Sequence, residues 1–188
     1  MNTQPTLLTE RLALRPFTLA DAPEVKRLAG DRAIADTTLN IPHPYEAGMA
    51  ETWIGSHVPA YRAGHSVTFA ITLRSSGALV GAIGLTKNNV YRRGEMGYWI
   101  GKPFWGQDYC TEAARAMLDF GFGPWELNRI HAYHFVRNPA SGRVMAKIGM
   151  QYEGLLRQHV IKWGQFEDLA LYGILRSDRQ RLGGDDES

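Results

Sequence analysis

The stretch GEMGYWIGKPFWGQDYCTEAARAMLDFGF, residues 94–122, constrains the fold more than any other part of the chain. Met96, Tyr98, Trp99 and Ile100 favour a strand, with glycines at 94, 97 and 101. Cys110, Ala114, Met117 and Gly121 then recur at helical period. KPFWGQD lies between them. A short loop that ends at a helix N-terminus aims several unpaired N–H groups at one place, with the positive end of the helix dipole behind them. Such a place suits an anion, and a phosphate or pyrophosphate above all. Gly106 permits close backbone approach, although one loop glycine also serves ordinary turn chemistry. Asp108 argues the other way, because it adds negative charge beside the expected anion.

The chain, with 188 residues, is long enough for one well-buried core and short for two domains. The expected layout is one domain over 1–176 and a polar, disordered tail over 177–188. Net charge is +2, and Lys and Arg are scattered rather than clustered, so nucleic acid is not an expected partner. The single cysteine excludes an internal disulfide and any multi-cysteine metal site. No apolar run suggests a signal peptide or a bilayer span, so a cytoplasmic location away from membranes is expected.

In chain order, RLALRPF reads as a first strand and T-L-A-D as a capping-box-like start to a helix with Ala22, Val25, Leu28 and Ala29 inward. Gly30 ends it. NIPHPY, residues 40–45, is a proline-broken loop. Met49, Trp53 and His57 mark a second helix that Pro59 ends or kinks. SVTFAITL and ALVGAIGLT form a hairpin around Ser75-Ser76-Gly77, and Asn88–Arg93 turns into the strand of Glu95. After the central helix come the strand RIHAYHFV, a helix opened by Asn138-Pro139, and two strands flanking Trp163-Gly164. The order β-α-α-β-β-β-α-β-α-β-β predicts an α/β (α+β) domain, one mixed sheet flanked by helices.

Three blocks carry a resemblance: TERLALRPFTLAD, EMGYWIGKPFWGQDYCTEA and NPASGRVMAKIGM. Together they resemble the GNAT acetyltransferases, and within them the RimJ/RimL-like branch of N-acetyltransferases. The resemblance reaches to about residue 176. It implies the GNAT fold, a mostly antiparallel sheet whose central strands splay apart to admit acetyl-CoA, the co-substrate, without a metal. The family's phosphate loop, R/Q-x-x-G-x-G/A, here holds Pro103, Gly106 and Asp108. Asp108 stands where Gly or Ala is usual and bears on cofactor affinity.

Acetyl transfer to an amine requires removal of a proton from nitrogen, stabilisation of the carbonyl oxygen, and a hydrogen-bond donor for the departing sulfur. It also requires a cofactor held in place. By resemblance, Glu95 is the candidate base and Ser141 the candidate acid, a serine acting only through a close hydrogen bond to sulfur. Tyr98, Tyr133, His131 and His134 are alternatives. The plain roles are a Glu95 ion pair with Arg92 or Arg93, and serine's ordinary place in a first helical turn. Pantetheine is expected to pair with the main chain of Trp99, Ile100 and Gly101 as an added strand. Pyrophosphate is expected near Trp105, Gly106, Gln107, Asp108, Tyr109 and Thr111. Asn138 is expected on the pantetheine arm or as a helix cap. Arg143 and Lys147 are expected on the nucleotide phosphates or on a solvated helix face. Cys110 reads as core, or as a thiol able to form a mixed disulfide with CoA if exposed. His43, Tyr45 and Trp53 are candidates for the acceptor wall.

No covalent nucleophile is evident, which favours direct attack in a ternary complex. The acceptor is a protein N-terminal α-amine or a small-molecule amine, and the protein a monomer or homodimer. A non-catalytic acyl-CoA-binding domain is the rival reading.

Overall fold

A computed structural model describes residues 3–179. Its strands are β1 (Leu7–Leu8), β2 (Leu12–Pro16), β3 (Ser66–Leu73), β4 (Leu79–Asn88), β5 (Arg93–Ile100), β6 (Arg129–Phe135), β7 (Gln151–Lys162) and β8 (Gln165–Leu175). They form one sheet in the order β1-β2-β3-β4-β5-β6-β8-β7. Every neighbouring pair is antiparallel except β5 with β6. Parallel neighbours need a crossover, and α5 (Tyr109–Phe122) supplies it. The remaining helices are α1 (Ala22–Ala29), α2 (Arg32–Thr37), α3 (Met49–Gly55), α4 (His57–Arg62) and α6 (Pro139–Lys147).

Alternation along the strands divides the core between the two faces of the sheet. Leu14, Phe69, Ile83 and Met96 pack with α5 on one face. Ala70, Ala82 and Trp99 pack with α1 and α3 on the other. Met117 and Leu118 of α5 are fully buried. Each such side chain contributes about 1.5–3 kcal/mol, so the helix that begins at the loop is anchored along its length.

The sequence reading differs from the structure in four places. The helix expected through Met49, Trp53 and His57 is two helices that break at Ser56, and Pro59 sits in the first turn of α4. Proline clashes with the carbonyl four residues before it, so continuity is lost upstream of Pro59 rather than at it. The short α2 was not anticipated, although Asp31 caps it by accepting from the Ala33 N–H at 2.8 Å. The two-residue strand β1, which pairs with β2, was not anticipated either. Of the tail expected to be disordered over 177–188, residues 177–179 are instead helical, with Arg179 donating to Asp119 at 2.8 Å, and the rest lies outside the described residues. The last hairpin turns where it was expected, with Trp163 and Gly164 both left-handed at φ 50° and 78° and Lys162 opposite Gln165. Among the described residues no helix is long and apolar enough to cross a membrane.

His57 is buried against Phe17 and Trp53, with ring centroids 5.4 and 4.5 Å away, and among the described residues neither ring nitrogen has a partner. Burial lowers its pKa from an ordinary 6.5 to about 4. The folded protein therefore binds this proton less readily than the unfolded chain does. The stability carried by the neutral ring is full above pH 6.5 and is lost as the pH falls towards 4. The loss amounts to at most about 3 kcal/mol. His57→Phe keeps an aromatic ring against Trp53 but cannot titrate. Denaturant unfolding of both proteins across this window should show a stability difference that shifts in the variant's favour as the pH falls. A constant difference would mean that the ring is not held neutral.

Candidate active site

The pairing of β5 with β6 is short. It joins Arg93 to Arg129, Gly94 to Ile130 and Glu95 to His131, and stops there. Beyond Glu95, β5 keeps its pairing with β4 as far as Ile100, while β6 pairs only with β8. The two strands part as a V whose apex is Glu95, and this is the splay that the family resemblance implied. A cleft of about 1440 Å³ passes through the opening, bounded by both strands, by α5 and α6 on one side and by the segment from α2 to α3 on the other.

Several tethers fix the walls of this opening. The Tyr98 hydroxyl on β5 reaches α6, 2.9 Å from Ser141 Oγ, and donates to the Ser141 carbonyl at 3.1 Å. Arg137, just past β6, donates to Glu167 Oε1 and to the Asp36 carbonyl, both at 2.8 Å. Buried Lys162 of β7 donates to the carbonyls of Leu39 and Ile41 at 3.1 and 3.0 Å, which seats the 38–48 loop. The indole N–H of Trp105 donates to the Ile100 carbonyl at 2.6 Å. The Gly101 N–H goes to Val80 on the β4 side, so strand alternation turns the main-chain groups of Tyr98 and Ile100 towards the opening.

The loop into α5 has the expected character. Gly106 and Asp108 are left-handed, with φ 75° and 59°. Among the described residues none of the backbone N–H groups from Gly106 to Thr111 has a hydrogen-bond partner. The Thr111 hydroxyl, buried and also unpartnered, lines the same space. Free N–H groups and a hydroxyl at a helix N-terminus suit an oxyanion. The loop is held from behind by the N-terminal segment. Arg11 donates to the Gln107 carbonyl at 3.1 Å and to Glu112 at 2.7 Å, and Glu112 also accepts from Thr9.

Asp108 does not act as a side-chain cap for α5. Its left-handed backbone directs the carboxylate to Lys147 Nζ at 2.6 Å, and the lysine holds its pKa below the usual carboxylate value. Thus Lys147, expected on phosphates, is engaged by the residue expected to repel them. Arg143 is exposed on the same helix and has no ion-pair partner among the described residues. The Asn138 side chain makes no capping bond and lines the cleft, so its role as a cap is not what the structure shows.

Glu95 is exposed at the apex. Its ion pairs with Arg92 or Arg93 are absent: Arg92 donates to the Glu126 carbonyl and Arg93 lies over Tyr91. Its nearest cationic candidate is His131, with Nε2 at 3.9 Å. Burial, then the charges of Arg129 and Arg93, lower the His131 pKa, so the ring is neutral and Glu95 stays uncompensated at neutral pH. Burial pushes the Tyr98 phenol well up, which keeps it a proton donor. Cys110 is half-buried and lines the cleft, and desolvation pushes its thiol up, which keeps it protonated.

Of the residues expected at the site, Glu95, Trp99, Ile100, Trp105, Gly106, Asp108, Tyr109, Thr111, Asn138, Ser141, Arg143, Lys147, Tyr45 and Trp53 line the cleft. Three do not. His43 is exposed and turns its ring to the Gly30 carbonyl at 3.2 Å. Gly101 is buried under Leu28, with its N–H committed to β4. Gln107 contributes backbone behind the loop. Tyr133 and His134 both line the cleft although they point to opposite faces of β6, because a strand that has lost its neighbour shows both faces and its edge. Residues missed by sequence reasoning include Thr68, Thr86 and Gly97, whose only sequence signal was their place in strands.

Comparison with known proteins agrees with this geometry. Residues 11–151 match the family model described as the acetyltransferase (GNAT) domain. The N-acetyltransferase p20 of Bacillus licheniformis, itself uncharacterised, is 28% identical over 92% of this chain and 97% of its own. YdaF of Bacillus subtilis, provisionally named a ribosomal N-acetyltransferase, is 33% identical over 69% of this chain and 72% of its own. A GNAT-family acetyltransferase structure from Bacillus anthracis superposes with a TM-score of 0.83 at 26% identity, covering 92% of this chain and 99% of that one. A cleft built on splayed strands, a helix N-terminus open to an oxyanion, and this likeness lead to one conclusion: the chain belongs to the GNAT family and is an acetyl-CoA-dependent N-acetyltransferase.

Proposed function

We propose that the protein acetylates a protein N-terminal α-amine by direct attack on acetyl-CoA in a ternary complex, with Glu95 as base and Ser141 as the donor to sulfur. The observation that carries this reading is Glu95 at the closing point of the V, uncompensated, with the Tyr98–Ser141 pair on the wall towards α6. The pyrophosphate fits the free N–H groups from Gly106 to Thr111, and Asn138 and the open edge of β5 suit the pantetheine arm. Acetyl-CoA supplies the activated thioester; the chain's own groups handle protons and position.

An amine arriving as an ammonium gives one proton to Glu95, directly or through water. Its nitrogen then forms the C–N bond as the C–S bond breaks, and the second proton balances the thiolate that leaves. The Tyr98 phenol has one proton, so the serine's own proton is free to point at that sulfur only when the phenol's is turned from the Ser141 carbonyl to Ser141 Oγ. Cys110, whose thiol is kept protonated by desolvation, supports direct attack over an acetyl-enzyme. The α-amine acceptor draws on the likeness to YdaF and on a cleft wide enough for a chain end.

Glu95→Gln should lower kcat by about 10²–10⁴-fold with acetyl-CoA affinity unchanged, and Ser141→Ala by about 10–100-fold. Retained turnover in Glu95→Gln would remove it as the base. Asp108→Asn frees Lys147 and should tighten acetyl-CoA binding about two- to fivefold at low salt, whereas Lys147→Met should weaken it. Calorimetric titration measures both, and no change in either would place the pair outside the phosphate field. Thiol release is to be compared between peptides with free N-termini and a pool of polyamines, amino acids and aminoglycosides. Release with peptides supports the α-amine, whereas release with the second pool alone would contradict it.

A further inference from the structure

On the sheet face that carries Glu95, cross-strand register assembles two adjacent rows. Ser66, Thr86 and Glu95 form one, and Thr68, Gly84 and Gly97 form the other. The next row, Ala70, Ala82 and Trp99, is roofed by α1 and α3 as core, but these two rows open to the cleft. Among the described residues no hydroxyl of Ser66, Thr68 or Thr86 takes part in a side-chain hydrogen bond. The two glycines leave a recess and differ in kind. A Cβ at Gly84 would meet the Val67 carbonyl at 2.8 Å, so that glycine is a packing requirement. A Cβ at Gly97 would meet nothing within 4 Å, and its backbone lies in an ordinary strand, so no fold constraint demands glycine there.

Gly97 lies about 7 Å along the strand from Glu95 on the same face, so it is the next position on that face beside the apex. Among the described residues, four ionic side chains line the cleft: Glu95, Asp108, Arg143 and Lys147. The last three belong to the loop and helices on the α5–α6 side. The recess itself offers hydroxyls and space, with Glu95 as its only charge.

We infer that Gly97, with the hydroxyls of Ser66, Thr68 and Thr86, forms the subsite for the substituent on the carbon that bears the acceptor amine, and that it selects small, uncharged substituents. A second ammonium there would be desolvated with no second carboxylate, and a bulky group would have to displace the hydroxyls' water without replacing its hydrogen bonds. This rests on the acetyl-acceptor reading above and adds the side-chain class and the residue that sets it.

The test uses the full chain and its Gly97→Ala and Gly97→Val variants, with acetyl-CoA and peptides that differ only in a first residue of Gly, Ser, Phe or Lys. The wild type should favour Gly and Ser over Phe and Lys by about tenfold or more in kcat/KM. Each added methyl should then raise KM for Ser progressively, reaching about tenfold in Gly97→Val, with Gly least affected and acetyl-CoA affinity unchanged. Equal use of all four peptides, or loss of acetyl-CoA binding in the variants, overturns the assignment. If peptides are inert and only small amines react, the α-amine reading fails on its own. Gly97→Val is then measured on the best amine, where a raised KM upholds the subsite and an unchanged KM overturns it. Turnover of neither pool overturns both.

Discussion

The whole site depends on one interruption, the loss of pairing between β5 and β6 after Glu95 and His131. An unpaired strand edge inside a sheet leaves N–H and C=O groups that must be satisfied by something else. Here the indole of Trp105 takes one of them, and the rest face a cleft shaped to accept an extended chain that can pair as a strand does. The opening persists because its two lips are bonded to different bodies. Tyr98 ties β5 to α6, whereas Arg137 ties the end of β6 to α2 and β8. Closing the V would break both sets of contacts.

The same interruption explains the electrostatic arrangement. α5 must begin where β5 ends, since the parallel β5–β6 pair requires a crossover there, and the helix N-terminus is thereby placed at the wide end of the V. Its free N–H groups and the Thr111 hydroxyl suit an anion, and the Asp108–Lys147 pair offsets charge beside them without occupying them. At the narrow end, the neutral His131 leaves Glu95 as a carboxylate without a fixed partner. The cleft thus carries opposite preferences at its two ends, one for an anion and one for a cation. A reaction between an anionic cofactor and an ammonium-bearing acceptor needs that polarity.

Much of this was legible in the sequence because it is local. The strand, loop and helix of residues 94–122 and the Trp163-Gly164 hairpin follow from period and turn chemistry within a few residues. What escaped is decided by partners far along the chain. The 38–48 loop takes its course from Lys162, 123 residues from Leu39, and that seating leaves His43 on the outside. Lys147 meets Asp108 across 39 residues, so neither residue's role could be read from its own helix. Alternation placed Tyr133 and His134 on opposite faces of β6 but could not tell that both would meet the cleft, because that depends on the neighbour the strand loses. Gly97 reads in the sequence only as one of three strand glycines, and only the register with Gly84 and Thr86 gives its empty side a meaning.

The central claim is that acetyl-CoA enters the V with its thioester at the apex. A crystal structure with bound acetyl-CoA tests it most directly. The account predicts the pyrophosphate on the N–H groups of Gly106 to Thr111, pantetheine along the β5 edge at Tyr98, and the thioester between Glu95 and Ser141. A cofactor seated elsewhere, or strands β5 and β6 paired beyond Glu95 in the complex, would contradict it.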